Sequence, residues 1–410
     1  MSERTAQRED ARAVWFDARG LQVGFKEHAG RGIGTYVAAL AAALDGQAAP
    51  ERLRMLVEPD AELVQSVSPA RLLRVPRALG GRGRLATQLH QHAQLAAWLS
   101  ARRPAAVHFP AQTDAPAVLG VRTVVTVHDV VLHRHGAWYG GGAPRSLRER
   151  ARRARFRAMR TLERLAIAHA SRLIVPSRVT AEELVQTLAV PRAKIAVIPL
   201  AAGPRFSPTP APGDPAVRAR LHLPERYLLH TGGADPRKRV PELIGVFDAL
   251  ARDDAGLGLV LAGPVADGAA YPAVRRAIDE AAARERIVLP GVVPDEELAA
   301  LYRGAAALVL ATRYEGFGLP VVEAFASGTP VVSTAADAVR EVAGDAALLV
   351  PVAEIGALRD AVRRVLADGA LAASLRERGL ERATQFRWSL AAAETLAVYE
   401  EVTGERLRAA

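Results

Sequence analysis

Residues 311–334 constrain the fold more than any other stretch of the chain. A glycine-rich loop and a short apolar segment lie between two apolar runs of strand length, 305–311 and 330–334. Pro320 suits the first turn of a helix, because a proline there loses no hydrogen bond, and Gly328 suits the left-handed residue that ends one. The pattern predicts a β-loop-α-β unit with its loop at the carboxyl end of a parallel strand, where open α/β sheets bind ligands.

Two glutamates, Glu315 in the loop and Glu323 in the helix, frame this unit. Gly316 and Gly318 leave room for a ligand beside the backbone, and the free amides of the helix start attract anions. Carboxylates suit such a site only if the ligand also carries hydroxyl groups. A sugar nucleotide meets both demands, since its diphosphate suits the helix end and its sugar and ribose diols donate to carboxylates. The alternative is two solvated glutamates beside an ordinary turn.

The segment, E-G-F-G-L-P-x-x-E-A-x-A-x-G-x-P-V, resembles the E-x7-E signature of the retaining glycosyltransferases of family GT4, which have the GT-B fold. The resemblance implies that Glu315 contacts the transferred sugar in a catalytic role and that Glu323 contacts the nucleotide ribose. It assigns four more positions to the donor site: Gly316, Phe317, Gly318 and Leu319.

Length and composition favour two ordinary α/β domains. The chain has 410 residues, of which half are hydrophobic, and this is enough for two separate cores. The absence of cysteine excludes disulfides and thiolate metal sites and is typical of a reducing compartment. No apolar run reaches the length of a membrane span, and residues 1–10 are polar and charged. These features predict a cytoplasmic protein.

The first predicted strand, 14–17, leads into a glycine-rich loop and a helix at 30–44, where apolar residues have helical spacing. Taken alone, G-x-G-x-G is compatible with a tight turn that binds nothing. A Rossmann fingerprint for NAD fits less well, because the spacing is not G-x-G-x-x-G and no acidic residue ends a clear second strand. In the family that the chain resembles, this loop approaches the donor, which assigns Gly32, Ile33 and Gly34 to donor binding.

The run 121–131, VRTVVTVHDVV, predicts a β-branched strand that ends in His128 and Asp129. A lone histidine at a strand end is usually hydrogen-bonded in a structural role. In GT4 enzymes a His-Asp or His-Glu pair at this point faces the donor sugar, and on that basis His128 is assigned to the catalytic site. Asp129 could equally cap the loop.

Residues 143–172 contain ten arginines and two acidic residues in a helical pattern. One interpretation is a surface helix whose arginines are solvated. The other is docking on anionic lipid or on a lipid-diphosphate acceptor, which would hold the protein on the inner face of the membrane. Nucleic-acid binding is not expected, since the segment has no recognisable module and a single aromatic residue, Phe156.

Arg237 and Lys238 follow a predicted strand, 226–231, and a turn at Gly232 and Gly233. Two adjacent cations ahead of a helix amino terminus oppose the helix dipole, so a bound anion is expected beside them. In the family, this pair grips the donor diphosphate and offsets charge on the leaving group, which assigns both cations to catalysis and both glycines to donor binding. Many family members carry another arginine soon after the first glycine, where this chain has Gly233.

The loop after the predicted strand 286–290 is the expected base-binding loop. In the family this loop, here around Val293, holds the base through its backbone, so side chains do not reveal which base binds. Asp295 is predicted to cap the next helix. The chain has no D-x-D motif, and Arg237, Lys238 and helix dipoles would hold the diphosphate, so neither a metal ion nor another cofactor is expected.

The resemblance implies an α/β protein of GT-B fold, with two Rossmann-like, doubly wound domains facing each other across a cleft. Residues 1–203 would form the acceptor-side domain, and residues 217–385 would bind the nucleotide sugar. A proline-rich linker, 204–216, would join them. The last helix, within 386–410, would cross back to the amino-terminal domain.

The reaction implied is transfer of a sugar, with retention, from a nucleotide-sugar donor to a hydroxyl of a glycan or lipid-linked acceptor. The motifs look most like those of bacterial mannosyltransferases of surface-polysaccharide assembly, which favours GDP-mannose over UDP-sugars, dTDP-rhamnose and ADP-glucose. Other classes that share parts of the pattern are a GT-B nucleotide-sugar epimerase, a nicotinamide oxidoreductase and an inactive scaffold at a membrane.

Overall fold

The computed structural model describes residues 12–22, 32–59, 62–63, 67–76, 90–117, 120–139, 146–266 and 271–408. The chain forms two compact units. The first comprises Met1–Leu200 together with Trp388–Ala410, and the second comprises Ala201–Arg387. Each unit has its own parallel sheet, as expected for two α/β domains.

The first unit is built on seven described strands. They are β1 (Val14–Asp17), β2 (Leu53–Val57), β3 (Leu72–Arg74), β4 (Ala106–Phe109), β5 (Thr123–Thr126), β6 (Arg172–Val175) and β7 (Ile195–Val197). They lie in the order β3-β2-β1-β4-β5-β6-β7, and every neighbouring pair is parallel. β1, β4 and β5 are buried along their whole length, which is typical of central strands covered on both faces.

Helices connect these strands. They are α1 (Gly32–Asp45), α2 (Leu95–Arg102), α3 (Val131–Arg134), α4 (Leu147–His169) and α5 (Arg178–Leu188). Shorter helical turns lie at Arg19–Leu21, Pro69–Arg71, His90–Gln94, Gly136–Tyr139 and Arg192–Lys194. The predicted helix in the arginine-rich segment is therefore present as α4, while residues 143–145 lie outside the described part of the chain.

The second unit has six described strands. They are β8 (Arg226–Thr231), β9 (Leu257–Ala262), β10 (Ile287–Gly291), β11 (Ala307–Leu310), β12 (Val331–Thr334) and β13 (Leu348–Val350). Their order is β10-β9-β8-β11-β12-β13, again all parallel. The chain runs outward from β8 in one direction and from β11 in the other. The crevice at the carboxyl ends of these two strands is thus the switch point at which such sheets bind ligands.

The helices of the second unit complete its layers. They are α6 (Asp214–Arg220), α7 (Val240–Ala251), α8 (Tyr271–Glu280), α9 (Asp295–Gly304), α10 (Leu319–Ala326), α11 (Asp337–Ala343), α12 (Ile355–Ala367) and α13 (Gly369–Ala383), with 3-10 turns at Pro236–Lys238 and Arg284–Arg286. The proline-rich segment 204–216 ends inside α6, where Pro215 occupies an early helical position. Asp295 is the first residue of α9 and makes no capping hydrogen bond, contrary to the sequence prediction.

The last helix, α14 (Trp388–Thr403), packs against α1 in the first unit. Its buried Tyr399 is hydrogen-bonded to His108 Nδ1 at 2.6 Å, and His108 Nε2 is 2.8 Å from Thr126 Oγ1. Thr126 Oγ1 in turn lies 2.9 Å from the Tyr36 hydroxyl. Burial lowers the pKa of His108 to about 3, so its ring is neutral and donates from one nitrogen while accepting at the other. This network joins α14 to α1, β4 and β5.

In the part of the chain that the structure describes, no helix combines the length and the apolar character needed to cross a membrane.

Two helical glycines of the second unit should respond oppositely to alanine. A Cβ at Gly379 of α13 would lie 2.8 Å from Phe325 Cδ1 of α10, whereas a Cβ at Gly245 of α7 would meet nothing within 4 Å. We expect Gly379→Ala to destabilise the unit by about 1–3 kcal/mol through overpacking. Gly245→Ala should stabilise it by about 0.5–1 kcal/mol, because a glycine inside a helix loses more backbone entropy than alanine. Urea unfolding of the full chain measures both, and equal shifts would contradict the packing.

Candidate functional site

Two loops of the second unit meet where the neighbouring strands β8 and β11 end. After β8 the chain turns at Gly232, forms the 3-10 turn Pro236–Lys238 and enters α7. After β11, residues 312–318 lead into α10. The backbone N–H of Arg313 donates to the carbonyl of Arg237 at 2.7 Å, which joins the two loops directly.

Three of the predicted catalytic residues come together at this junction. Lys238 Nζ donates to Glu315 Oε1 at 3.0 Å, and Arg237 Nη1 lies 3.9 Å from Glu315 Oε2. The Thr312 hydroxyl also hydrogen-bonds to Glu315 Oε1, at 3.1 Å. Glu315 is only 9% exposed. Asp235 Oδ1 lies 3.7 Å from Arg237 Nε, so two carboxylates face the two cations and the cluster carries no excess charge.

The electrostatics of Glu315 follow from these contacts. Burial alone would raise its pKa, but the attraction of Lys238 and Arg237, with the hydrogen bonds from Lys238 and Thr312, lowers the pKa to about 2. Glu315 is therefore ionised at neutral pH. The carboxylate of Glu315 lies beside the two adjacent cations, and a bound anion there stays a prediction.

The turn at Gly232 packs closely against the side chain of Lys238. Gly232 has φ 122°, and a Cβ there would lie 2.9 Å from Lys238 Cε. Behind it, a Cβ at Gly263 would lie 2.7 Å from the Gly232 carbonyl oxygen. A Cβ at Gly233 would lie 3.3 Å from the carbonyl oxygen of Pro264. The two predicted donor-site glycines are thus needed for close packing of the lysine stem and of the next loop.

The start of α10 lies beside the ion cluster in sequence. Gly318, with φ 109°, precedes the helix, and Leu319 and Pro320 form its first positions. Phe317 is buried and packs edge-on against Phe386, with ring centroids 5.8 Å apart. The predicted helix start is confirmed, and Gly316 and Phe317 form the short link between Glu315 and the helix.

The second glutamate of the motif has a different environment. Tyr302 of α9 donates its hydroxyl proton to Glu323 Oε2 at 2.8 Å, and the Thr231 side chain lies 3.0 Å from the Tyr302 hydroxyl. Burial raises the pKa of Glu323 to about 8, although this hydrogen bond and the charge of Lys238 act in the opposite direction. Two glutamates eight positions apart therefore have pKa values shifted in opposite directions.

Val293 lies in the loop between β10 and α9, as expected for the base-binding loop. It follows Gly291, which has φ 70° and whose carbonyl accepts from the N–H of Gly263 at 2.8 Å. Val293 is half-buried, and its neighbour Val292 is 53% exposed. The loop thus offers accessible backbone at the edge of the same sheet.

The remaining predicted residues belong to the first unit. Gly32, Ile33 and Gly34 form the first turn of α1 instead of the predicted loop, because a helix tolerates glycine at its start, while residues 30 and 31 lie outside the described part of the chain. His128 Nε2 donates to the Pro110 carbonyl at 2.8 Å, and its ring packs edge-on against Tyr36. Asp129 accepts from the Val131 N–H at 3.1 Å, which is the loop-capping alternative.

Sequence reasoning missed four residues of the second-unit site: Thr231, Tyr302, His230 and Thr312. Tyr302 and Thr231 look like ordinary core positions, since one lies on the apolar side of α9 and the other ends a buried strand. His230 is buried beneath the cluster, and its Nδ1 donates to the Val309 carbonyl at 3.2 Å. Burial and the nearby Lys238 lower the pKa of His230 to about 4, so its ring is neutral and adds no further positive charge.

No group of three or more His, Cys, Asp or Glu side chains in the described ranges is arranged to hold a metal ion. Metal independence stays a prediction.

Comparison with known families matches both halves of the chain. Residues 31–201 match the family model of the glycosyl transferase 4-like domain, and residues 217–382 match that of the glycosyl transferases group 1. The second match contains the Glu315 cluster and Glu323. The two matches leave only the termini and the segment 202–216 outside.

Two individual proteins that resemble the chain have sequence identities of about 30% to it. The chain is 28% identical over 232 residues to the O-antigen chain mannosyltransferase B of Escherichia coli, covering 56% of this chain and 60% of that protein. It is 30% identical over 319 residues to the D-inositol 3-phosphate glycosyltransferase of Streptomyces griseus subsp. griseus, covering 71% and 64%. The matched region thus spans less than two thirds of either relative.

Among solved structures, the sucrose-phosphate synthase of Thermosynechococcus elongatus superimposes with a TM-score of 0.72. The alignment covers 96% of this chain and 99% of that protein, at 23% identity. At this identity the likeness concerns the fold.

The two glutamates should make stability depend on pH in opposite directions. Glu315, whose folded pKa of about 2 lies below the usual 4.5, stabilises the fold above that value, and the contribution is lost as the pH falls towards 2. Glu323, whose folded pKa is about 8, holds a proton in the folded chain that the unfolded chain has released above 4.5. Its contribution therefore falls as the pH rises from about 4.5 to 8.

Thermal melts of the wild type, Glu315→Gln and Glu323→Gln between pH values of about 2 and about 8 test both directions of the change in stability. The advantage of the wild type over Glu315→Gln should shrink as the medium becomes acidic. Glu323→Gln should gain on the wild type as the pH rises towards 8. Parallel curves for the wild type and either variant would show that the corresponding carboxyl does not titrate as described.

Proposed function

The chain belongs to the GT4-type glycosyltransferases of GT-B fold, and from this premise we propose that it transfers a sugar from a nucleoside-diphosphate sugar to a hydroxyl group of an acceptor. The observation that carries the proposal is the cluster of Glu315, Lys238 and Arg237 at the switch point of the second sheet. Two adjacent cations, a glycine turn and a helix amino terminus there match a diphosphate, and carboxylates match sugar hydroxyls.

The donor diphosphate would take over the two cations. Lys238 supplies a compact charge with three donors, and Arg237 supplies a planar fork that can bind two phosphate oxygens. Both now face Glu315, so an arriving diphosphate competes with this carboxylate for them. Lys238 and Arg237 keep Glu315 ionised while they face it. Once the cations turn to phosphate, hydrogen bonds donated by the sugar hydroxyls would favour the same charged form of the carboxylate.

The proposed transfer balances without a protein nucleophile. The bond between the anomeric carbon and the diphosphate oxygen breaks, and the acceptor oxygen bonds to the same carbon on the same face. The acceptor proton passes to an oxygen of the departing diphosphate. Lys238 and Arg237 would stabilise the negative charge that develops on this leaving group, which is the kind of term that contributes most to catalysis. Retention of configuration is part of the proposal.

For the donor we propose GDP-mannose. The motifs G-R-G-I-G, H-D and G-G-x-D-P-R-K support this choice, as does the likeness to the E. coli mannosyltransferase. The likeness to a D-inositol 3-phosphate glycosyltransferase leaves the acceptor undefined between a glycan, a lipid-linked sugar and a smaller polyol. UDP-, dTDP- and ADP-sugars are the alternative donors, and nucleotide binding distinguishes them.

We also propose that α4 docks on an anionic lipid surface. Arg150, Arg157 and Arg164 recur every seven residues, so they share one face of the helix, and all three are exposed. Among the described residues none of the three forms an ion pair. Leu147 is 81% exposed and Leu165 is 38% exposed on the same helix. Arginines beside exposed leucines form the mixture that binds at the interface of anionic membranes.

Nucleotide binding and turnover test the transferase proposal together. Thermal melts with GDP, UDP, dTDP and ADP, with NAD as a control, should show stabilisation by one diphosphate. A ligand at a hundred times its dissociation constant adds about 2.7 kcal/mol. We expect stabilisation by GDP and turnover of GDP-mannose, and Lys238→Ala should lower turnover about 100–1,000-fold because charge on the leaving group is no longer offset.

The matched control is Lys194→Ala, which removes a half-buried lysine of the first unit that donates only to the Ala168 carbonyl. It should leave turnover unchanged. A Lys238→Ala variant that folds and keeps full turnover would disprove the phosphate role. Stabilisation by NAD alone would point to an oxidoreductase instead.

Co-sedimentation with lipid vesicles tests the docking proposal. The wild type should pellet with vesicles of phosphatidylglycerol and phosphatidylcholine, and pure phosphatidylcholine should bind it weakly. Replacing Arg150, Arg157 and Arg164 by glutamine should weaken binding over a hundredfold, since each arginine at the surface contributes about 1 kcal/mol.

A triple glutamine variant of α12 at Arg359, Arg363 and Arg364 changes the net charge equally in the other unit, and it should bind like the wild type. Equal weakening by both variants would mean that net charge alone drives association and that the α4 arginines are simply solvated.

A further inference from the structure

A buried tyrosine outside the glutamate motif holds Glu323. Tyr302 projects from α9, is fully buried, and donates to Glu323 Oε2 at 2.8 Å. Its ring packs edge-on against Phe206, with centroids 5.6 Å apart, and its carbonyl accepts from the Thr329 hydroxyl at 2.7 Å. Ring and backbone are therefore both fixed, so the hydroxyl has one available position.

Thr231 completes a short relay. Its Oγ1 lies 3.0 Å from the Tyr302 hydroxyl. A tyrosine hydroxyl has one proton, and Tyr302 gives it to Glu323, so Thr231 donates to the tyrosine oxygen. Burial keeps the pKa of Tyr302 well above its usual value, so that proton is retained. Thr231 is the last residue of β8 and directly precedes Gly232, so the relay begins at the turn that seats Lys238.

The relay leaves one oxygen of Glu323 for a ligand. Within the described ranges no group donates to Oε1, while Oε2 is occupied by Tyr302. The Glu323 carboxyl interacts electrostatically with Lys238, on the loop after β8, and with Asp295, next to the loop that contains Val293. A nucleotide ribose links a diphosphate to a base. Glu323 is therefore near enough to both loops to be affected by the charges of Lys238 and Asp295.

We propose that Tyr302, assisted by Thr231, is a positioning residue that aims Glu323 at the ribose diol of the bound nucleotide and so creates a preference for ribonucleotides over 2′-deoxyribonucleotides. The inference rests on the proposed function and deepens it. The Tyr302 hydroxyl holds Glu323 Oε2 in place. The other oxygen, Oε1, can then bind the diol without a further loss of side-chain entropy when the nucleotide binds. A site of this kind disfavours dTDP-sugars among the alternative donors.

Calorimetric titration with GDP and 2′-deoxy-GDP, repeated with UDP and 2′-deoxy-UDP, tests the inference. The wild type should bind the ribonucleotide of the accepted base about tenfold more tightly than its deoxy form, within the range expected for one hydrogen bond. Tyr302→Phe should reduce this preference to about twofold, mostly by weakening ribonucleotide binding. Thr231→Val, which acts through the tyrosine, should reduce it less.

Tyr227→Phe is the matched control. Tyr227 is a fully buried tyrosine of the same unit whose hydroxyl donates to the Leu301 carbonyl at 2.8 Å. Its loss should alter stability and leave the ribose preference tenfold, whereas Glu323→Gln should abolish the preference. A merely structural role of Tyr302 would make Tyr302→Phe behave like Tyr227→Phe, and that result would overturn the inference.

The outcomes separate this inference from the proposed function. If the wild type binds nucleotide through Lys238 but treats the ribose and deoxyribose forms alike, the positioning role is wrong and the transferase proposal stands. If the Tyr302→Phe and Thr231→Val variants both keep the full preference, the same conclusion follows. If the wild type binds none of the four nucleotides, and neither ADP nor dTDP stabilises it in the melts described above, both proposals fail.

Discussion

The buried ion pair between Lys238 and Glu315 is the interaction on which the candidate site depends. A charge removed from water is costly unless it is paired, and loss of one partner leaves the other uncompensated. The pair therefore holds the loop after β8 against the loop after β11, and the hydrogen bond from the Arg313 N–H to the Arg237 carbonyl ties the same loops through the backbone. A diphosphate ligand would exchange one partner of Lys238 for another. Its net affinity is then a difference between two charged contacts, which favours ligands that also satisfy the released carboxylate, as a sugar does.

The backbone around this pair is specified by residues without side-chain bulk. Gly232 adopts φ 122° under the lysine stem, and Gly318 adopts φ 109° before α10.

Arg239 has φ 54°, which is unusual outside glycine, and its side chain reaches the Val352 carbonyl at 2.7 Å and Glu242 at 3.2 Å. These anchors hold a strained residue directly after the two cations. Such local strain is maintained only where the surrounding contacts over-determine it, and here they fix the direction in which Lys238 enters the site.

Local signals in the sequence predicted the unit around the glutamates well. α10 and β12 lie within a few residues of their expected bounds, and Gly328 takes the left-handed conformation, with φ 68°, that was expected of it. Proline and glycine determine these features through their own backbone preferences, so no distant partner is needed. The pairing of Glu315 with Lys238 joins residues 77 positions apart, and a resemblance was needed to relate them. Tyr302 could not be found in this way, because a tyrosine on the apolar side of a helix has the pattern of an ordinary core residue. The prediction of a loop at Gly32–Gly34 was wrong, because a glycine-rich segment is typical of a loop but is also tolerated in the first turn of a helix.

The two glutamates, Glu315 and Glu323, have opposite pKa shifts because their surroundings differ. Glu315 faces two cations and has a pKa of about 2, whereas Glu323 is buried with the neutral Tyr302 as its hydrogen-bond donor and has a pKa of about 8. At neutral pH the first is charged and the second carries its proton in the ligand-free chain. A ribose diol donates hydrogen bonds, which stabilise the charged form of a carboxylate. If Glu323 binds the ribose as proposed, nucleotide binding and deprotonation of Glu323 would favour each other, since two processes that stabilise the same state must do so reciprocally. The relay from Thr231 through Tyr302 begins at the residue before Gly232, so the turn that packs against Lys238 also orients the carboxylate that would bind the ribose.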